Sequence, residues 1–164
     1  MIMEGEHFYI DYVTDKDISE LTEVYNSNRD FLLNHMDKDH IEKDWMSEEL
    51  RSMRDSGFTS YKVVDKETSV IIGGIDILLK EEAYLSLLIL HNNYKNKGLG
   101  KLIYSLMETH AISLGCKCLR IDVVTNYDHK VIDFWMKCGF LPNENIELNW
   151  TGKVLPAVVM RKQL

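Results

Sequence analysis

The chain has 164 residues and a formal net charge of −7, and 45% of its residues are hydrophobic and 27% charged. This composition predicts one globular domain over residues 1–164. The negative charge argues against binding to nucleic acid, because affinity for a phosphate backbone comes mostly from lysine and arginine. The apolar runs are too short to span a bilayer, so no membrane partner is expected.

The N-terminal half of the chain predicts a strand, two helices and a hairpin. Residues 7–13 are rich in aromatic and β-branched residues, which is typical of a strand. Two helical patterns follow, the second ending at Gly57, and residues 27–39 between them are interpreted as a connector. The strands "FTSYKVVD" and "SVIIGGIDILLK" form a hairpin, in which Gly73 and Gly74 indicate a bulge or a close backbone approach.

The C-terminal half alternates strands and helices. The strand "AYLSLLIL" precedes a long helix over residues 98–114, which Gly115 closes. "KCLRIDVV" predicts a strand, "DHKVIDFWMKC" a helix, and two extended segments follow. A helix between two strands is a crossover, so those strands should be parallel. The expected fold class is α/β (α+β), with a mixed, mostly antiparallel sheet of about seven strands and helices on both faces.

The cysteines and the N-terminal segment indicate a reducing compartment. The acidic "MIMEGEHFYI" lacks a basic stretch followed by an apolar one, so no secretory signal is predicted. Three cysteines do not form a disulfide framework. Cys116, Cys118 and Cys138 have a poor spacing for zinc, and buried free thiols are favoured. We therefore expect a cytoplasmic protein without a metal.

The segment "YKNKGLGK" places two glycines and three lysines where a strand ends and the long helix begins. Unpaired N–H groups and a partial positive charge at a helix N-terminus favour a bound phosphate. G-x-G-x-x-G is absent because Ile103 stands at its last position, and G-x-x-x-x-G-K-[ST] is absent too. The pattern therefore indicates a phosphate or pyrophosphate site, with a tight structural turn as the alternative.

Two blocks of the sequence resemble the GCN5-related N-acetyltransferase (GNAT) family. The first, "KNKGLG" after Tyr94, resembles Q/R-x-x-G-x-G/A, with Lys95 in place of Arg or Gln. The second, "DHKVIDFWMKCGF", resembles N-x-x-A-x-x-L/F-Y-x-K-x-G-F, with Asp128 at the Asn position and Val131 at the Ala position. The resemblance covers residues 85–140. It implies an acyl-CoA N-acyltransferase fold, in which the parallel pair of strands splays apart.

The resemblance also implies acetyl-CoA as the co-substrate, bound in the gap between the splayed strands, and an amine acceptor. The pantetheine arm would pair with the backbone of Leu88 and Leu90, and Asp128 would contact it. The Leu90 amide would donate to the oxyanion of the thioester carbonyl. The expected cofactor-binding residues are Leu88, Leu90, Lys95, Asn96, Lys97, Gly98, Leu99, Gly100, Lys101, Asp128 and Trp135.

Trp135 departs from the family pattern, because this position often holds a Tyr that protonates the leaving thiolate. An indole N–H does not titrate at ordinary pH, although it donates a hydrogen bond. Either Cys138 or Tyr127 substitutes, or the thiolate leaves without an acid, since a thiol with a pKa near 8.5 is a tolerable leaving group. A further alternative is a non-catalytic acyl-CoA-binding module.

Members of the family that the chain resembles often use a Glu or an ordered water on the strand before the glycines, so the resemblance implies a base there. Side chains alternate along a strand, so Glu82, Tyr84 and Ser86 should share a face with Leu90. Tyr84 or Glu82, acting directly or through water, is the preferred base.

Phe31, Asn34 and His35 are the predicted substrate-binding residues, because the family builds its acceptor wall from the corresponding segment. The acidic balance favours a small cationic amine, such as a polyamine, an amino-sugar antibiotic or an amino acid derivative. Asp76 and Glu147 could attract such an amine. A peptide N-terminus or a lysine side chain is the alternative acceptor. A homodimer is possible, since dimers are common among the proteins that this chain resembles.

Overall fold

A computed structural model describes residues 1–150 and 152–164, which form five α-helices and one sheet of eight strands. The strands are β1 (Met3–Glu4), β2 (Phe8–Tyr12), β3 (Thr59–Asp65), β4 (Ile71–Leu78), β5 (Glu82–Leu90), β6 (Cys118–Val124), β7 (Leu141–Trp150) and β8 (Lys153–Gln163). The helices are α1 (Ile18–Asn26), α2 (Arg29–Met36), α3 (Lys43–Asp55), α4 (Leu99–Ser113) and α5 (His129–Lys137).

The strands are ordered β1-β2-β3-β4-β5-β6-β8-β7 across the sheet. Only the central pair, β5 with β6, is parallel, and helix α4 connects its two strands. The mixed, mostly antiparallel sheet expected from the sequence is therefore confirmed. The sheet has one strand more than the expected seven, because it includes β1, a two-residue strand that pairs Met3 with Ile10 of β2. So short a segment has no periodicity that a sequence pattern could reveal.

Helices cover both faces of the sheet, as expected. Helices α4 and α5 pack with one hydrophobic cluster, which contains Ile103, Met107 and Phe140. Helices α1, α2 and α3 pack with a second cluster, which contains Leu21, Leu32 and Met46. None of the helices formed by the described residues is long and apolar enough to cross a bilayer.

The interpretation of residues 27–39 as a connector is wrong, because eight of them form helix α2. Leu32 and Met36 are buried and lie four residues apart, so they share one face of this helix. The helix ends at Asp37, which adopts the left-handed conformation with a φ of 56°. Polar residues around so few apolar ones obscured the helical period in the sequence.

Gly73 marks a close approach between β4 and β5, as its place inside a strand predicted. A Cβ atom at this position would lie 2.8 Å from the carbonyl oxygen of Ile89. The pairing of β3 with β4 also shifts its register between Val63 and Val64. This close packing fixes the end of β5, where the candidate site begins.

Candidate active site

Strands β5 and β6 are paired only at their N-terminal ends. The last pair joins Tyr84 to Arg120, and no later pair connects these two strands, both of which are fully described. Strand β6 nevertheless continues to pair with β8 as far as Val124. The expected splay is therefore present, and a V-shaped gap opens toward the C-terminal ends of both strands.

A β-bulge in β5 lies beside the point where the gap opens. Leu85 pairs with Ile77, and Leu87 pairs with Asp76, so Ser86 is the extra residue. The bulge interrupts the alternation of side chains between the two faces of the sheet.

Because of the bulge, the prediction that Tyr84 and Glu82 share a face of the sheet with Leu90 is wrong. The two sides of β5 are lined by Ala83, Leu85, Leu88 and Leu90 toward α4 and α5, and by Leu87 and Ile89 toward α1, α2 and α3. Tyr84 alternates with its neighbours in the sequence and therefore lies on the α1–α3 side. Leu90 faces the opposite side, because the register changes by one residue between them.

The backbone of Leu88 and Leu90 is turned toward the gap. The amide of His91 donates to the Ile72 carbonyl at 2.8 Å. In an antiparallel pair, alternate residues face the partner strand, so Leu88 and Leu90 turn their N–H and C=O groups away from β4. The Leu90 carbonyl already accepts a hydrogen bond of 2.9 Å from Nδ2 of the buried Asn28. The Leu90 N–H, expected to bind the oxyanion, points to the same side.

The loop of residues 95–101, called the glycine loop below, joins the open end of the gap to α4. Asn96 and Gly98 adopt left-handed conformations with φ values of 59° and 78°, and α4 begins at Leu99. Apart from its own chain neighbours, Gly98 has no described atom within 4 Å of the position that its Cβ would occupy. The first-turn amides of α4 are therefore reachable by an anion, as the phosphate prediction requires.

Lysine side chains and two carboxylates surround the mouth of the gap. Lys97 lies over the ring of Tyr94, with its Nζ 5.7 Å from the ring centre. Burial lowers the pKa of Lys95, while the charges of Asp30 and Asp128 oppose that shift. The glycine loop is thus close to Asp128, whose side chain caps α5 by accepting from the Lys130 amide at 3.0 Å. A surface pocket of about 580 Å³, lined by Asp30, Leu33, Asn34, Asn126, Tyr127, Asp128 and Lys153, opens there.

Trp135 lies in the core between α4 and α5 and is only 8% exposed. Its ring packs edge-on against Tyr104 and Phe140, with ring centres 5.5 and 5.4 Å away. The preceding residue, Phe134, lies 3.5 Å from the position that a Cβ of Gly100 would occupy. Trp135 therefore supports the wall behind the glycine loop.

The two predicted substitutes for the missing acid lie in different surroundings. Cys138 is buried in the core, and burial raises the pKa of its thiol although Lys101 and Lys162 oppose the shift. Tyr127 is half-buried, and burial followed by the charges of Asp30 and Asp128 raises its pKa. Its ring meets that of His35 at 5.2 Å, so Tyr127 lies beside one of the predicted acceptor residues.

Phe31 and His35, two of the three predicted acceptor residues, lie together in an aromatic wall. Their rings stack at 4.2 Å, and both meet the ring of Trp150 on the hairpin of β7 and β8. Burial lowers the pKa of His35, which keeps its imidazole neutral. Asn34 lines the pocket at the mouth, and its buried Nδ2 has no partner among the described residues.

The surroundings of Tyr84 and Glu82 are unfavourable for a base. The Tyr84 hydroxyl donates to Oδ2 of Asp122 at 3.1 Å, and burial and then that carboxylate raise the pKa of Tyr84 well above its ordinary value. Tyr84 therefore stays protonated. Glu82 lies at the closed end of the gap and forms an ion pair of 3.0 Å with Arg161.

Asp76, predicted only as a charge that could attract an amine, is one of the few buried carboxyls among the described residues. It lies on β4, is 7% exposed and accepts a hydrogen bond from the Ser60 hydroxyl. Burial above all, together with the nearby charge of Glu49, raises the pKa of Asp76 to about 6, although the hydrogen bond from Ser60 opposes the shift. An aspartate inside the apolar run "VIIGGIDILL" was the signal that could have identified it.

The cysteines are buried free thiols. Burial raises the pKa of Cys116 and Cys118, so both stay protonated near neutral pH. Among the described residues, no group of three or more His, Cys, Asp and Glu side chains is arranged to hold a metal ion.

A central sheet whose parallel pair splays beside a helix N-terminus defines the class of acyl-CoA N-acyltransferase folds. The profile of the acetyltransferase (GNAT) family matches residues 20–140. The chain therefore belongs to the GNAT family, which confirms the resemblance and the expected enzyme class, an acyltransferase that uses acetyl-CoA. No curated protein matches the chain significantly.

Solved structures share the fold at low sequence identity. Spermidine N-acetyltransferase from Vibrio cholerae, in complex with CoA and spermine, is 14% identical with a TM-score of 0.76, over 97% of this chain and 96% of that one. PaiA N-acetyltransferase from Thermoplasma acidophilum, in complex with coenzyme A, is 19% identical with a TM-score of 0.68, over 96% and 99%. Ribosomal-protein-alanine N-acetyltransferase from Brucella melitensis is 16% identical with a TM-score of 0.70, over 94% and 99%.

Proposed function

We propose that this protein transfers the acetyl group of acetyl-CoA to the primary amine of a small cationic molecule. The observation that carries the proposal is the gap between β5 and β6, which ends at the glycine loop and the N-terminus of α4. Backbone groups line one side of the gap, and cationic side chains surround its mouth. These features suit a ligand with an extended amide arm and a pyrophosphate, as coenzyme A has.

On the cofactor side, the amides of residues 95–101 would hold the pyrophosphate, and Lys97 and Lys101 would add positive charge. Leu88 and Leu90 would pair with the pantetheine amides in the way that an added strand pairs with a sheet edge. Asp128 would contact this arm from the start of α5. The structures of relatives named with CoA support the assignment.

The chemistry requires no covalent enzyme intermediate. The amine nitrogen attacks the thioester carbon, a C–N bond forms, and the C–S bond breaks as the thiolate leaves. The Leu90 N–H would stabilise the oxyanion, which is the step at which a fixed donor helps most. Trp135 supplies no proton to the thiolate, so solvent protonates it after departure.

The acceptor would approach from the α1–α3 side, where Phe31, His35 and Trp150 form the aromatic wall. A net charge of −7 and the buried Asp76 favour a cation there. The likeness to an enzyme named for spermidine agrees with this acceptor class. A peptide N-terminus is the second candidate, and the likeness to a ribosomal-protein-alanine N-acetyltransferase favours it.

The test measures acetyl-CoA binding and acetyl transfer separately. Acetyl-CoA should raise the melting temperature by several degrees. In a panel of spermidine, free lysine and a peptide with N-terminal alanine, spermidine should release CoA thiol fastest, with acetylspermidine identified by mass spectrometry. Thermal stabilisation without product from any amine would instead indicate the acyl-CoA-binding module that Trp135 suggests. Faster reaction of the peptide would favour the second acceptor.

A further inference from the structure

We propose that Asp76 accepts the proton of the attacking amine in the acetyl transfer. This inference rests on the proposed function and assigns the base, a role that Tyr84 and Glu82 were predicted to fill. Asp76 lies on β4 directly opposite Leu87, the residue that follows the bulge at Ser86. The gap opens at the same level of β5, since its last pair with β6 is at Tyr84.

The side chain of Asp76 faces the acceptor side of the sheet. Leu87 packs with the cluster under α1, α2 and α3, and residues paired directly across strands point to the same face. Paired Cα atoms lie about 5 Å apart, so the Asp76 carboxyl is one strand from the edge of the gap. In the proposed step, an amine at that edge would pass its proton to Asp76 through an intervening water molecule.

The groups packed around Asp76 leave its charge without a cationic partner. Ser60 of β3 donates to Oδ1, and the titratable groups that act on it are Glu49 from α3 and Tyr25 from α1. Leu87 of β5 is apolar. Neither Asp76 nor Glu49 takes part in an ion pair among the described residues. A buried carboxylate without a cation takes up a proton readily, and burial accordingly raises the pKa of Asp76 to about 6.

Of the other groups on this side of the sheet, Asp122 is less suited to the role. Asp122 is held by Arg120 in an ion pair of 2.9 Å and also accepts from Tyr84. His35 is the remaining rival. Its Nδ1 lies 2.9 Å from the Phe31 carbonyl, which only accepts, so Nδ1 carries the proton and Nε2 keeps a lone pair.

The proton balance is complete without a further reactant. The acceptor ammonium first releases one proton to solvent, so that a neutral amine attacks. As the C–N bond forms, the nitrogen loses a further proton to the Asp76 carboxylate through the water. The C–S bond then breaks, the electron pair leaves with sulfur, and the thiolate takes a proton from solvent. Asp76 returns its proton to solvent before the next turnover.

The test uses the pH dependence of kcat/KM with spermidine as the probe amine. The wild-type protein should show an ascending limb with a midpoint near pH 6. Asp76→Asn should lower kcat at least about 100-fold, the usual contribution of a general base, with acetyl-CoA affinity unchanged. Ser60→Ala should move the midpoint upward, because the hydrogen bond that favours the carboxylate is lost. Glu49→Gln should move it downward, because a neighbouring negative charge is lost.

A pH midpoint that moves upward in Ser60→Ala and downward in Glu49→Gln would not arise if Asp76 had only a structural role. A limb that persists in Asp76→Asn and disappears in His35→Gln would overturn the proposal in favour of His35. If no panel amine reacts, the proposed function fails separately. The inference is then tested by ¹³C NMR of labelled aspartate carboxyls, and the absence of a resonance that titrates near pH 6 and disappears in Asp76→Asn would overturn it.

Discussion

Trp135 shows how one residue can serve the fold at the expense of a catalytic group. The family position often supplies a titrating hydroxyl, and here the side chain packs among Tyr104, Phe134 and Phe140. The large indole fills the space between α4 and α5 behind the glycine loop. The departure was visible in the sequence, but its packing role was not, because the contact with Tyr104 depends on how α4 packs against α5.

Replacing Trp135 with Tyr should separate the catalytic effect from the packing effect. We expect turnover equal to or faster than that of the wild type, because a phenol can protonate the departing thiolate. We also expect a loss of stability of about 1–3 kcal/mol, since the smaller ring leaves part of the indole space unfilled. Steady-state kinetics with spermidine and urea unfolding measure the two quantities.

Trp135→Phe is the matched control, since it loses similar volume without gaining a hydroxyl. A rate gain in Trp135→Tyr that Trp135→Phe lacks would identify the hydroxyl as its cause. A large loss of turnover in Trp135→Tyr, with binding of acetyl-CoA retained, would contradict the expectation and assign the indole a direct role.

At the level of elements, the glycine loop was the most readable part of the site. Its place between a strand and a helix follows from the change of period on either side of "KNKGLGK". The bulge at Ser86 was not readable, because a bulge depends on how β5 pairs with β4 rather than on β5 alone. That single residue accounts for the wrong face predicted for Tyr84.

Charge placed in the glycine loop should weaken coenzyme A binding. Gly98 has a φ of 78° and open space around its missing Cβ, so a longer side chain fits after a modest cost in backbone strain. We expect Gly98→Glu to reduce CoA affinity at least about tenfold relative to Gly98→Gln, because only the carboxylate repels the pyrophosphate. Isothermal titration calorimetry measures both affinities.

The Gln variant carries the same strain and nearly the same volume, which makes it the matched control. The Gly100→Glu and Gly100→Gln pair repeats the comparison inside the first turn of α4, where Phe134 lies 3.5 Å from the added Cβ. Equal CoA affinities within both pairs would refute the placement of the pyrophosphate at this loop.

Over the whole molecule, the sheet consists of two parts that meet at β5 and β6. Pairs at Glu82, Ala83 and Tyr84 join the parts, and beyond them the strands diverge. The alternation of strands and helices predicted the crossover, whereas the splay came only from the family resemblance. The apolar run "VIIGGIDILL" could indicate that Asp76 is buried, but it could not specify Glu49 of α3 and Tyr25 of α1 as the groups around it.

The titration of Asp76 should be visible in the pH dependence of the free energy of unfolding of the whole protein. Folding raises the pKa of Asp76 from 3.8 to about 6, so the folded state holds this proton more tightly than the unfolded chain does. Its stabilising contribution is complete below pH 3.8 and is lost as the pH rises through 6. Two pKa units correspond to about 3 kcal/mol. The free energy of unfolding of Asp76→Asn, relative to that of the wild type, should therefore rise by that amount between pH 4 and pH 8.

Asp17 provides the control with the opposite sign. Burial disfavours its carboxylate, but hydrogen bonds from Lys62 and Thr14 outweigh that effect and lower the pKa of Asp17. Its stabilising contribution is therefore present at neutral pH and lost on acidification, so Asp17→Asn should be destabilising at pH 7 and less so near pH 3. Urea unfolding of Asp76→Asn and Asp17→Asn between pH 3 and pH 8 measures how the free energy of unfolding of each variant changes with pH. A constant difference between Asp76→Asn and the wild type at every pH would mean that Asp76 titrates alike in the folded and unfolded chains.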